Sequence, residues 1–161
     1  MLLYLIQHGQ SKNEAEDPAR PLSEKGQTTA THMAGLFARV QPRIAAVWHS
    51  DKPRARQTTE IFARSLQAAD KIQQVAGLAP MDDVKPVAAR LQQQLEDLLI
   101  VGHMPYLSRL ASQLLVGDTE QKVIAFQMAG IVCLQRDASG QWSLWWMLTP
   151  ELANSLHAGD R

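Results

Sequence analysis

Three short apolar runs recur along the chain, and each stops abruptly at polar residues. They are Leu2-Leu3-Tyr4-Leu5-Ile6 before Gln7-His8-Gly9, Ile44-Ala45-Ala46-Val47-Trp48 before His49-Ser50, and Leu98-Leu99-Ile100-Val101 before Gly102-His103. Runs this short, rich in branched and aromatic residues, predict strands buried on both faces of a parallel sheet. The segments between them follow the helical period instead. Ser23 is placed to cap a helix from Glu24 that presents Ala30, Met33, Ala34, Leu36, Phe37 and Val40 on one face before Pro42, with Gly26 and Gly35 lowering its propensity. A second helix begins near Arg54 and carries Ala55, Thr58, Ile61, Phe62, Ser65 and Leu66 on one face. A third covers Val84 to Leu95, with Val84, Val87, Ala88, Leu91 and Leu95 inward. A fourth runs through Leu107, Leu110, Ala111, Leu114 and Leu115 to a C-capping Gly117. Residues 10–22, with Pro18 and Pro21, read as a surface loop, and residues 69–83 offer only a short strand around Gln74 to Val75.

The tail switches to strand character. Ala129 to Arg136 and Trp142 to Leu148 flank Asp137-Ala138-Ser139-Gly140, a hairpin signal, and Trp142, Trp145 and Trp146 are assigned to core or sheet-face packing. Strands alternating with helices, followed by a hairpin, predict a three-layer α/β/α sandwich whose mostly parallel sheet ends in an antiparallel pair. The length of 161 residues fits one domain, residues 1–161, large enough to fold without a disulfide or structural metal.

Charge narrows the partners. The 16 basic and 16 acidic residues cancel, so no overall field draws the protein to nucleic acid or to an anionic membrane, and any anion site must be local. The lone Cys133 sits in Gly130-Ile131-Val132-Cys133-Leu134 with no neighbouring charge to activate it, and reads as a small buried hydrophobe. The first apolar run is too short for a signal peptide or a membrane span, and a cytoplasmic location is expected.

Candidate chemistry gathers at the strand ends. Parallel strands bring His8, His49 and His103 to the carboxyl edge of one sheet, where α/β folds bind ligands. Arg54 lies near a helix N-terminus, where unpaired N–H groups favour an anion. Three imidazoles can in principle hold zinc, but there is no H-E-x-x-H and no cysteine pair. Neither phosphate-loop motif, G-x-x-x-x-G-K-[ST] or G-x-G-x-x-G, occurs. No metal and no cofactor is therefore expected. The residues do suffice for phosphoryl transfer, with His8 in line with phosphorus and Arg54 and His103 gripping the oxygens.

Four ordered segments carry a family resemblance. Leu5-Ile6-Gln7-His8-Gly9-Gln10-Ser11 resembles the Arg-His-Gly signature of the histidine phosphatase, or phosphoglycerate mutase-like, superfamily. Pro21-Leu22-Ser23-Glu24-Lys25-Gly26 resembles its P-L-[ST]-x-x-G segment. Ser50-Asp51-Lys52-Pro53-Arg54-Ala55-Arg56-Gln57-Thr58 resembles its S-x-x-x-R-A-x-Q-T segment, and Val101-Gly102-His103-Met104-Pro105 the segment with its second histidine. The short chain, Arg20-Pro21-Leu22 and the Trp-rich hairpin look most like the SixA branch of phosphohistidine phosphatases. The resemblance implies a phosphoglycerate mutase-like fold and a hydrolase that is phosphorylated on His8 during turnover, with Arg54 and His103 as phosphate ligands.

One position departs from the signature. Gln7 stands where the family has arginine, and an amide supplies neither fixed charge nor a bidentate fork. Arg20 or Lys12, in the loop after the first strand, is expected to replace the charge, giving a phosphate site of Gln7, His8, Arg20, Arg54 and His103. Among Glu14, Glu16, Asp17, Asp82 and Asp83 no general acid stands out from solvated loop charges. An imidazole leaves phosphorus more readily than an alkoxide does, so this favours a phosphohistidine-bearing protein, such as a phosphotransfer domain, as substrate. The alternatives are a small-molecule phosphomonoesterase and a phosphate- or phosphoprotein-binding module that has lost turnover through Gln7. His49 is read as a strand-end residue bordering the pocket, and His32 and His157 as surface or packing residues.

Overall fold

A computed structural model describes residues 1–158. The chain runs β1 (Leu2–Gln7), α1 (Glu24–Ala38), β2 (Ala46–His49), α2 (Pro53–Ser65), β3 (Ile72–Gln74), α3 (Lys85–Gln93), β4 (Leu98–Gly102), α4 (Tyr106–Val116), β5 (Ile131–Arg136), β6 (Trp142–Leu148) and α5 (Pro150–Ala158). The six strands form one sheet in the order β3-β2-β4-β1-β5-β6. The first four in that order are mutually parallel, and β5 and β6 extend the sheet antiparallel beside β1. Helices cover both faces, which gives the three-layer α/β/α sandwich with a mostly parallel sheet.

The period-two alternation of a strand divides the apolar runs between the two faces. Leu3, Leu5, Trp48, Leu98, Ile100, Val132 and Leu134 pack against Val87 and Leu91 of α3 and Tyr106, Leu107 and Leu110 of α4. Tyr4, Ile6, Val47, Leu99, Val101, Ile131 and Cys133 pack against Met33 and Phe37 of α1, Phe62 of α2 and Ala153 of α5. The central strands are apolar throughout because both of their faces are covered.

Topology then fixes where a site can form. From β1 the chain crosses by α1, on one face, to β2; from β4 it crosses by α4, on the other face, to β5. The neighbours β1 and β4 thus send their connections in opposite directions, which opens a crevice between their carboxyl ends.

Several local expectations are corrected. Val40 is 56% exposed rather than inward. The chain tightens after Ala38, with Arg39 N bonding Leu36 O and Val40 N bonding Phe37 O, and these i→i−3 bonds rotate Val40 off the buried stripe. Leu95 is 85% exposed because α3 stops at Gln93 and Gln94 is extended. The Arg136 guanidinium takes the carbonyls of Leu91, Gln92 and Gln94 at that helix end. The third strand begins two residues before the expected Gln74. Trp145 is 59% exposed, unlike Trp142, which is buried, and Trp146, which is half-buried. A bulge opposite Cys133 and Leu134 pairs Trp146 with Cys133 and Leu144 with Leu134, so Trp145 is the unpaired extra residue. The bulge also sends Trp142 and Trp146 to opposite faces of the sheet. α5 was not anticipated: Thr149 Oγ1 accepts from Leu152 N at its start, but Leu152 and Leu156 stay exposed, so its apolar period is weak. The side chain of His157 lies outside the described part. Cys133 is fully buried, and burial pushes its thiol up to about 12, as expected for an inert core residue.

Gly26 does more than weaken α1. It lies on the buried side of the helix, and a Cβ there would collide with the Gln10 carbonyl of the loop after β1. Gly35 faces open space, with nothing within 4 Å of a Cβ. The two glycines should therefore respond oppositely to alanine. Gly26→Ala should destabilise by about 1–3 kcal/mol through overpacking, and Gly35→Ala should stabilise by about 0.5–1 kcal/mol. Urea unfolding of both variants checks this; losses of equal size would show that the Gln10 contact is not limiting.

Candidate active site

The pairing of β1 with β4 runs from Leu3↔Leu98 to Gln7↔Gly102. The next residue on each strand is a histidine, and His8 N still donates to Gly102 O at 3.0 Å. His8 and His103 therefore leave the sheet side by side, with ring centroids 5.1 Å apart and both rings buried. On the neighbouring strand, His49 aligns with Val101 and stands two rows back from this pair. It is buried, and its Nδ1 lies 2.7 Å from Ser50 O. No recorded contact joins His49 to His8 or His103.

His8 is oriented by its own loop. Nδ1 lies 2.6 Å from the carbonyl oxygen of Gly9. A carbonyl only accepts, so Nδ1 carries the proton and Nε2 holds the free lone pair. Gly9 is needed for the close approach, since a Cβ there would lie 2.9 Å from Gly26 O. The turn is tied to α2, because Gly9 N donates to Thr58 Oγ1 at 3.0 Å and that hydroxyl donates to Arg54 O at 2.8 Å. One threonine thus couples the loop of His8 to the first turn that carries Arg54. A second tie joins α2 to the loop of Arg20, where Leu22 N donates to Gln57 Oε1 at 2.7 Å. Helical spacing places Thr58 on the inward face of α2, but neither its hydrogen bonds nor those of Gln57 are signalled by the sequence.

Arg54 lies in the first turn of α2, whose opening residue is Pro53, and its Nε is buried without a protein partner. Arg20 sits on the exposed loop in the left-handed region, φ 50°, with Nη2 3.4 Å from Ser11 Oγ. Its charge acts on both His8 and Arg54, whereas Lys12 is exposed and exerts no such effect on either. Of the two candidates to replace the missing charge, Arg20 is the one whose charge is felt at both His8 and Arg54. Gln7 is buried; its carbonyl accepts from Ala129 N at 2.8 Å and it bridges Met128.

The pocket is electropositive. Burial, the main cause, with Arg54 and Arg20 helping and the Gly9 carbonyl opposing, lowers His8 to about 4. Burial again leads for His103, with His8, Arg54 and Lys52 helping and Asp51 opposing, and lowers it to about 3. Arg54 is itself pushed below its usual value by burial and then by Arg20. A cluster of this sign, with both imidazoles neutral, is poised for an anion. Asp51, passed over in the sequence, is the carboxylate whose charge reaches both Arg54 and His103. The acidic residues singled out earlier are occupied in turns. Glu16 accepts from Asn13 N, Asp17 from Ala19 N, Asp82 from Ala79 N and Asp83 from Lys85 N, and Glu14 is exposed. Among the described residues no group of three or more His, Cys, Asp or Glu could hold a metal ion, and no helix is long and apolar enough to cross a membrane.

The depressed histidines link stability to pH. Between the ordinary imidazole value of 6.5 and the folded-state values of about 4 and about 3, the unfolded chain binds protons that the native state refuses. Stability is complete above pH 6.5 and falls as pH is lowered through that window. In urea titrations between pH 7.5 and pH 4.5, wild type should lose more stability than His8→Gln, which has no proton to take up at this position. Parallel losses would contradict the depressed value of His8.

The comparisons agree with this geometry. A family model described as the histidine phosphatase superfamily (branch 1) matches residues 3–83. Phosphohistidine phosphatase SixA of Escherichia coli K12 is 27% identical over 155 residues, covering 93% of this chain and 94% of the relative. An uncharacterized protein of Picosynechococcus sp. is 32% identical over 146 residues, covering 86% and 87%. Among solved structures, the protein histidine phosphatase SixA complexed with tungstate superposes with a TM-score of 0.83 at 26% identity, covering 93% of this chain and 97% of that one. The six-stranded sheet, the paired strand-end histidines and the matched N-terminal half lead to one assignment: the chain belongs to the histidine phosphatase superfamily.

Proposed function

We propose that the protein hydrolyses phosphohistidine on a partner protein, with His8 as the nucleophile. The observation that carries this reading is the ring of His8, neutral, buried beside His103 and held through Nδ1 by the Gly9 carbonyl so that Nε2 is free. Nε2 attacks phosphorus, the P–N bond of the substrate breaks, and the departing imidazole, protonated on its second nitrogen, leaves neutral. His8 then carries phosphate on Nε2 and a proton on Nδ1. The resulting cationic ring is a good leaving group when water attacks phosphorus in the second step. Inorganic phosphate departs and neutral His8 is regenerated.

Arg54, Arg20 and His103 offset the charge on the phosphoryl oxygens, which is most of what phosphoryl transfer requires. Gln7 at the strand end adds an amide donor. Glu16, Asp17, Asp82 and Asp83 are occupied in turns and Asp51 pairs with Lys52, which supports a substrate whose leaving group needs little help and favours P–N over P–O cleavage. The similarity to SixA over nearly the whole chain, and the tungstate held by that relative, support both a phosphohistidine substrate and an oxyanion in the site.

Two measurements test this reading. Wild type should release phosphate from a phosphohistidine peptide with higher kcat/KM than from an aryl or alkyl phosphate monoester, and His8→Ala should lower both by at least about 10³-fold. Phosphate release independent of His8 would overturn the reading, and a preference for the monoester would turn it towards a phosphomonoesterase. For the charge replacement, Arg20→Ala should weaken competitive inhibition by tungstate by roughly 10- to 100-fold, the worth of one charged hydrogen bond. Lys12→Ala should leave it nearly unchanged, and adding Gln7→Arg to Arg20→Ala should restore much of the loss. Full tungstate affinity in Arg20→Ala would remove Arg20 from the site.

A further inference from the structure

Ser50 is the residue after β2, and it lies in the row of Gln7 and Gly102, immediately behind the histidine pair. Its side chain reaches forward, placing Oγ 2.6 Å from His103 Nε2, and both residues are about 1% exposed. A second contact bears on the direction of that bond. Lys52 N, just ahead of the first turn of α2, donates to Ser50 Oγ at 3.3 Å. His103 Nδ1 is buried and has no protein partner.

A serine hydroxyl has one proton to give and two lone pairs. If Nε2 of His103 carried the imidazole proton, Ser50 Oγ would accept from both Nε2 and Lys52 N. Its own proton would then have no recorded acceptor, in a buried position. If the hydroxyl instead donates to Nε2, every group in the contact is satisfied. Oγ accepts from Lys52 N, Nε2 accepts from Oγ, and the imidazole proton must reside on Nδ1. The backbone of His103 is fixed in turn by Leu107 N, which donates to His103 O at 2.8 Å at the start of α4.

We infer that Ser50 positions His103, holding it as the Nδ1–H tautomer so that Nδ1–H is the donor offered to the phosphoryl group. This inference rests on the proposed function, because it places the transferring group between the two rings. The two histidines are thereby set in the same tautomer by different means and for different tasks. The Gly9 carbonyl takes the proton side of His8 and exposes its lone pair, and the Ser50 hydroxyl takes the lone-pair side of His103 and exposes its proton. Neither ring needs to change its protonation when the phosphoryl group arrives.

The groups that bear electrostatically on His103 are His8, Arg54 and Lys52, which oppose a second proton, and Asp51, which favours it. A hydroxyl that donates to Nε2 also opposes it, since the bond exists only while Nε2 keeps its lone pair. Removing the hydroxyl should therefore free Nε2 to bind a proton and shift the acid limb of the His103 ring's own ¹⁵N titration to higher pH.

Long-range ¹H–¹⁵N correlation of the imidazoles in the wild-type protein reads the tautomer directly, without turnover. Nδ1 of His103 should be the protonated nitrogen. In Ser50→Ala the proton should redistribute towards Nε2. kcat on a phosphohistidine peptide should fall roughly 10- to 100-fold with little change in KM, and the acid limb of the His103 titration should move up in pH. Ser50→Thr keeps a hydroxyl and should retain both tautomer and limb. A wild-type spectrum with the proton on Nε2 overturns the inference even if no variant folds, and so does a Ser50→Ala protein with unchanged tautomer and limb. If the tautomer is as stated but phosphate release proves independent of His8, the proposed function fails and the hydrogen-bond assignment at His103 stands.

Discussion

The site depends on the register of one strand pair. β1 and β4 run parallel with Gln7 opposite Gly102, and the bond from His8 N to Gly102 O carries the pairing one step beyond the last strand residues. The two rings emerge adjacent because the backbone of the sheet centre sets them there. A slip of one residue would turn His8 to the other face and bury the wrong half of β1, so the double-sided apolar core that selects the register also aligns the histidines. The opposite directions taken by α1 and α4 leave the space above them open.

Around that pair, the protein keeps cations and neutral imidazoles together without a recorded carboxylate bonded to either ring. This arrangement costs stability, and the structure meets the cost with fixed geometry. Thr58 ties the Gly9 turn to the first turn of α2, Gln57 ties α2 to the loop of Arg20, and the bare face of Gly26 lets the Gln10 backbone pass close by. An oxyanion bound there would offset the repulsion between Arg20 and Arg54. The Arg54 charge that would hold such an anion also adds to the burial that keeps both imidazoles neutral.

Much of this was readable from the chain because the signals were local. The three apolar runs, the Ser23 cap, the Gly117 C-cap and the Asp137-to-Gly140 turn each encode their element within a few residues, and all appear in the fold. His8, His103 and Arg54 could be placed because a strand end and a helix start are local too. What escaped was whatever depended on distant partners. Gly26 reads as a weak helix residue until the Gln10 carbonyl is seen against it. Trp145 is displaced by a bulge that no alternation pattern contains, and α5 has too little apolar period to announce itself. Asp51 and Ser50 sat inside a recognised motif, but the proximity of their side chains to His103 is a product of strand order.

Gln7 remains the residue that sets this chain apart from the signature of its superfamily. Its backbone at the end of β1 is held by the Met128 bridge and the Ala129 bond, contacts made by the main chain of residue 7 and not by its side chain. The neutrality, tautomer and ring neighbour of His8 do not derive from residue 7. The most direct measurement is rapid quenching of the wild-type protein with a phosphohistidine substrate, followed by peptide mapping under alkaline conditions. Acid-labile phosphate on His8, formed and lost at rates compatible with turnover, is the predicted result; turnover with no phosphate ever appearing on His8 would contradict the account.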